Sequence, residues 1–156
     1  MITRETVYKA FYDSLVALKG TAGIVLVNRR LFHWSDVPAT QQPALFVVQG
    51  AEQAVQKKGF PTKWLLNPKI WVYVNTNDDP NIGIQSILNS DVTPATLLNP
   101  ILDLIESTFP WMEDTSGMTA LGGLASHCWI SGTIETFEGL LGPQEVAIVP
   151  VEILTA

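Results

Sequence analysis

Hydrophobic positions recur along this chain with two periods, and the order in which the periods change outlines the fold. After Thr3, a plausible N-cap, Val7, Phe11, Leu15 and Leu18 are spaced by four, four and three residues, the stripe of an amphipathic helix that should stop near Gly20. The segment GIVLVNRRLFHW (23–34) is rich in β-branched and aromatic residues and reads as a strand. PALFVVQG (43–50) reads as a second strand, apolar on both faces and therefore central. AEQAVQKKGFPTK (51–63) is polar, carries Gly59 and Pro61, and reads as a connection. WLLNPKIWVYVNT (64–76) reads as a third strand, with Pro68 tolerable only at an edge or bulge.

NDDPNIG (77–83) reads as a loop and IQSILN (84–89) as a helical turn. Thr93-Pro94 then has the signature of an N-cap followed by proline at the first helical position. Leu97, Leu98, Ile101, Leu102, Ile105 and Phe109 continue at helical spacing; Pro100 should kink or restart that helix, and Pro110 should end it. SHCWISGTIETFEG (126–139) and QEVAIVPVEIL (144–154) complete the chain as an antiparallel hairpin. The order α-β-β-β-α-β-β predicts an α+β fold: a single mostly antiparallel or mixed sheet of about five strands, with two main helices packed on it. Neither repeats nor low-complexity tracts divide the chain, so residues 1–156 are read as one domain.

Composition sharpens this picture. A chain of 156 residues buries about two-thirds of its surface on folding, enough for a core without staples. It is 47% hydrophobic and only 15% charged, which excludes a disordered chain and suggests that other chains cover part of its apolar surface. The net charge of −6 conceals a split. From Arg4 to Lys69 there are nine basic residues and four acids, a net of +5; from Ile70 onward there are eleven acids and no Lys or Arg. The bases stand singly or in pairs, so nucleic-acid binding through Arg29, Arg30, Lys57 and Lys58 ranks as an alternative, and no sequence-specific nucleic acid is expected. Cys128 is the one cysteine, there is no secretory leader pattern, and no apolar run reaches the ~20 residues of a membrane span. A reducing, soluble compartment is expected.

Candidate chemistry is sparse. In a strand, His127 and Cys128 of Ser126-His127-Cys128 point to opposite faces and cannot form a dyad. His33 and His127 lie in no metal-binding frame. Asp103 and Glu106 share a helix face, and a solvated face is the plainer reading. Asp78-Asp79-Pro80-Asn81 lacks the spaced oxygens of a calcium loop, and Leu121-Gly122-Gly123-Leu124 lacks the lysine and hydroxyl of a phosphate cradle. No catalytic residue, metal or cofactor is assigned. Five tryptophans are many for this length; Trp64 and Trp71 are oddly spaced, so one of them should be exposed or interfacial.

Three blocks carry a resemblance over nearly the whole chain: PALFVVQGAEQAVQKKGFPTKWLLNPKIWVYVNT, the helix ILDLIE, and LGGLASHCWISGTIETFEGLLGPQEVAIVPVEIL. In these the chain resembles the tail terminator family of tailed bacteriophages and prophages. The resemblance implies a non-enzymatic virion protein, assembled in the bacterial cytoplasm. It would form a ring, typically a hexamer, on the last ring of tail-tube protein, ending tube polymerisation and offering a surface to a head-completion or neck protein. The basic Arg29, Arg30, Lys57 and Lys58, with Trp64, are the candidate subunit contacts on one side. The acidic half, with Glu135, Glu138 and Glu145, would either meet such a basic neighbour or line a lumen through which DNA slides without adhering. A neck or head–tail adaptor of the same particle, and a small-ligand-binding α+β module, are the other functions the residues leave open.

Overall fold

The computed structural model describes residues 2–75, 94–110, 120–141 and 144–156. Among these residues it is α+β, with two α-helices and one mixed sheet of eight strands. The loop and helical turn expected over 77–89, with Asp78, Asp79, Pro80 and Asn81, and Thr93 and Trp111 lie outside the described residues.

The first helix, α1 (Arg4–Val16), is capped by Thr3, whose hydroxyl accepts from the Thr6 N–H at 3.2 Å. Its buried face is Val7, Tyr8, Phe11 and Leu15, so three of the four stripe positions are joined by a tyrosine, while Leu18 lies past the helix end and is half-buried. The second, α2 (Pro94–Thr108), runs on through Pro100 and buries Leu98, Ile101 and Ile105. The rings of Phe11 and Phe109 meet with centroids 5.1 Å apart, joining the two helical segments over the sheet.

The strands are β1 (Leu26–Asn28), β2 (Ala44–Val48), β3 (Glu52–Val55), β4 (Lys63–Leu66), β5 (Lys69–Asn75), β6 (Ala125–Ile130), β7 (Glu135–Leu141) and β8 (Gln144–Thr155). Among the described strands only β1–β2 is parallel. The twelve-residue β8 organises the rest. Its first half lies between β5 and β7, and its second half between β4 and β6. The exchange of neighbours falls at Pro150: its carbonyl accepts from the Ser131 N–H at 3.0 Å on one side, while Val151 N–H donates to the Pro68 carbonyl at 2.9 Å on the other. A proline supplies no ladder donor, so a central strand accommodates it best where its partners change.

The count of about five strands is thus corrected to eight, and each extra strand has a local cause. The polar segment read as a connection holds β3, which acquires strand geometry by pairing with β4. Asn67 and Pro68 divide the expected third strand into β4 and β5. Ser131 to Ile134 divide the expected fourth strand into β6 and β7, as the chain crosses from one half of β8 to the other. Gly132 sits in that crossing at φ +110°, and a side chain there would stand 3.4 Å from the Pro150 ring.

Both faces of the inner sheet are covered. Leu45, Val47, Ile70, Val72, Val74, Ala147 and Val149 join the helices in the main core. Ala44, Phe46, Tyr73 and Val146 face the other way, against Val37 and the half-buried Phe32 and Trp34. Strand β2 is therefore buried on both sides, as its unbroken apolar run requires.

Candidate interaction surface

Strands β2 and β3 are consecutive, and they pair with the consecutive β5 and β4 respectively. The four form one long antiparallel ribbon with a corner in it. At the corner three residues, 49–51, oppose Asn67 and Pro68, a bulge that turns the ribbon. Gly50 is obligatory there, because a Cβ would lie 2.1 Å from the Asn67 carbonyl oxygen. The Asn67 N–H donates to the Ala51 carbonyl at 3.0 Å and fixes the crossing.

Beyond the corner β3 and the hairpin tip leave the core, while β4 stays paired with β8 and buries Leu66. Every residue from 51 to 63 is exposed, and β3 is the terminal strand of its sheet. The base of this outer hairpin is nonetheless held firmly. Tyr8 donates its hydroxyl to Glu52 Oε1 at 3.2 Å, Arg4 Nη1 lies 3.2 Å from Glu52 Oε2, and the Arg4 guanidinium stacks over Trp64 at 4.3 Å. Burial, with the Glu52 carboxylate second, raises the Tyr8 phenol above its ordinary value, so it is a lasting donor at neutral pH. Trp64 N–H donates to Thr155 Oγ1 at 2.8 Å. At the tip, Phe60 N–H closes a turn onto the Lys57 carbonyl at 3.0 Å, Gly59 adopts φ +86°, and Lys57 Nζ stands 5.0 Å above the Phe60 ring.

The candidate contact residues fall into three groups. Lys57 and Lys58 project from the hairpin, and Trp64 is half-buried at its base. Arg29 and Arg30 follow β1. Arg29 is held by a two-pronged ion pair to Glu5, at 2.5 and 3.1 Å, beside a cleft of about 450 Å³. Hydrogen bonding to Arg29 lowers the Glu5 carboxyl below its ordinary value. Arg30 caps the face of Phe32 at 5.1 Å. The four bases named for nucleic-acid binding thus occupy two separate elements, and Arg29 is already neutralised.

On the acidic side, Glu135 is exposed on β7, the strand that flanks the first half of β8. Glu138 stands opposite Glu145 in the β7–β8 register. Glu145 corrects the sequence reading: it is 2% exposed, because the odd-numbered positions of β8 from 145 to 149 turn toward the helix-covered face. It is buried within the chain, and no surface of this molecule presents it.

The remaining candidates are equally plain. Asp103 and Glu106 are exposed on α2. Glu106 borders a cleft of about 530 Å³ with Phe109, Trp129, Ile130 and Ile134. Cys128 is buried, and desolvation pushes its thiol up to about 12, leaving an inert side chain. His127 turns away from it, stacks flat on Trp129 at 3.8 Å, and contacts Glu152 Oε1 at 2.9 Å. Ser126 Oγ donates to the Thr155 carbonyl at 3.4 Å. His33 caps a short 3₁₀ turn by accepting from the Ser35 N–H at 3.3 Å. Sequence reasoning missed the Tyr8–Glu52–Arg4 clamp and the exposed Phe60; the clamp joins residues 44 positions apart, and only the register of β3 on β4 reveals it.

Among the described residues no group of three or more His, Cys, Asp or Glu is arranged to hold a metal, and no helix is long and apolar enough to cross a membrane. No protein-family model and no curated protein matches this sequence.

Proposed function

We propose that this chain is a structural component of a tailed phage or prophage particle: a tail terminator that caps the tail tube as a ring, most simply a hexamer. The reading starts from the resemblance of the three sequence blocks. The observation that carries it furthest is a separation of surfaces, with a basic hairpin protruding at one sheet edge and an acidic strand at another. A protein with oppositely charged, non-identical patches is suited to head-to-tail association, which closes into rings when the rotation permits.

Capping is steric in this reading. One ring face reproduces the contacts of a tube subunit and so binds the last tube ring. The other face does not, so no further subunit adds, and a head-completion or neck protein docks there. Such work needs complementary surfaces and no turnover. The decisive experiment pairs genetics with binding. Lysates of a phage lacking this chain should contain headless tails or tails of abnormal length, and the purified chain should bind tail-tube protein. Binding to portal or connector protein instead would make it a neck adaptor. Tails of normal length joined to heads would end the reading.

A further inference from the structure

We propose that the β3–β4 hairpin of one copy docks on the β7 edge of the next, basic tip against acidic strand, and that this is the contact that joins subunits. The inference deepens the ring reading and rests on it for closure; the contact itself concerns only two copies of this chain.

Three observations converge on it. Residues 51–63 of the hairpin are all exposed, and they include two large apolar side chains, Phe60 at 66% and Val55 at 43%. Strand β7 is the counterpart, with Glu135, Thr136 and Phe137 all exposed on successive positions, and Phe137 at 37%. Exposed side chains at successive positions point to both faces of the strand, so these three residues lack the burial that normally holds strand residues in place.

Charge is the second. From Val55 to Leu66 the chain carries Lys57, Lys58 and Lys63 and no acid, whereas β7 carries Glu135 and Glu138 and no base. Complementary charge of this kind sets register and excludes wrong pairings even when it adds little affinity.

Geometry is the third. β3 ends the sheet on the side of β8 taken by β4 and β5, while β7 occupies the opposite side and, among the described residues, pairs with β8 alone. A chain therefore cannot satisfy its own hairpin with its own β7, but a neighbour can, and each copy then offers the same pair of surfaces again. Edge groups on both strands that no other described strand pairs allow backbone hydrogen bonds across the junction, the mode by which extended segments add to a sheet. The Glu52 clamp and the Gly50 corner hold the hairpin in its projecting position before any partner arrives, which lowers the ordering cost of docking.

The test uses Lys58→Glu and Glu135→Lys in the intact chain, followed by sedimentation equilibrium. Both side chains are exposed, so thermal melting should match the wild type and certify folding. The wild type should self-associate, and each reversal alone should weaken association by about tenfold or more. An equimolar mixture should recover it, because each variant supplies the surface that the other's altered surface needs. Phe60→Ser, which alters the same hairpin as Lys58→Glu, should weaken association and should not be rescued by mixing with that variant, whereas Glu135→Lys, whose hairpin is intact, should partly restore it. A wild type that stays monomeric at ~1 mM, a reversal that leaves association unchanged, or a mixture no better than its components would overturn the contact. The outcomes separate from those of the tail reading. A ring that caps tubes regardless of both reversals removes the contact and keeps the terminator. An assembly restored by mixing that ignores tail-tube protein does the reverse.

Discussion

The inner and outer halves of the bent ribbon are built alike and situated in opposite ways. β2 and β5 pair over five positions and β3 and β4 over four, both antiparallel, in one continuous run of chain. The inner half is ALFVV against KIWVYVN, with Leu45, Phe46, Ile70 and Val72 fully buried. The outer half is EQAV against KWLL, with every β3 residue exposed. Hydrogen bonds hold both halves, but the inner half is buried on both faces, whereas in the outer half only β4 reaches the core, through Leu66. The outer half is held by β4, which pairs with β8 and buries Leu66, and β3 in turn by β4, the corner and the clamp. A hairpin tip held in the open by specific side chains is the element on which the proposed contact between copies rests.

The comparison breaks most visibly in the core. Phe46→Ala removes a fully buried ring at the centre of the smaller core and should cost about 3–5 kcal/mol, whereas Val55→Ala on the outer half should stay within about 0.5 kcal/mol. Urea denaturation midpoints measure both. A Val55 cost above 1 kcal/mol would mean that the outer half supports the fold. Gly50→Ala tests the corner. The new Cβ meets a backbone oxygen, which cannot swing away as a side chain can, so about 1–3 kcal/mol is expected in the same measurement. The loss should be accompanied by faster hydrogen exchange at the amides of β3 and β4 than at those of β2 and β5.

The difference between the halves also explains which elements could be read in the sequence. The helices announced themselves through Val7, Phe11 and Leu15 and through Leu98, Ile101 and Ile105, since an amphipathic stripe is local information. β2 was equally legible, because an apolar run bounded by proline and glycine fits a strand covered on both faces. β3 was not: EQAV has no alternation and no core to face, and it is extended only because β4 lies beside it. The split of β6 from β7 depends on Pro150, which sits on a different strand some twenty residues away. Glu145 was misplaced for a related reason. VAIVPVEIL is apolar at nearly every position, so the facing of its neighbours cannot be deduced from period two when both sides of the strand are buried. Of the candidate surface, the charge split was visible from the start, whereas the projection of Lys57, Lys58 and Phe60 on one hairpin was not.

Glu52 sharpens the comparison at the point where the halves are tied to α1. Glu52→Gln keeps the shape of the side chain and removes the charge that faces Arg4 and Tyr8. About 1 kcal/mol of stability should be lost, the usual yield of a partly exposed, charge-assisted contact. The pH behaviour discriminates this from generic damage. The Tyr8 phenol lies above its ordinary value in the fold, so its contribution is complete below pH ~10, the value of the unfolded side chain, and is lost progressively as the pH rises above that. Removing the Glu52 charge takes away one of the causes of that elevation, and the phenol should ionise at lower pH than in the wild type. Absorbance of tyrosinate, read as the difference from Tyr8→Phe, follows it directly. An unchanged Tyr8 titration would mean that Glu52 does not face the phenol in solution.

The smallest effect is expected at the tip, and there its smallness is the informative part. Phe60→Ser removes a ring that is two-thirds exposed and touches chiefly the flexible Lys57 side chain. Folding stability should change by no more than about 0.5 kcal/mol, since little of the ring leaves water when the chain folds. An exposed phenylalanine between lysines contributes nothing to the monomer, and it becomes intelligible only if it is buried elsewhere. Melting temperature and self-association should therefore part company in this variant, the first unchanged and the second reduced. If both fell together, the hairpin tip would belong to the core of its own chain, and the division between an inner half that folds and an outer half that binds would be lost.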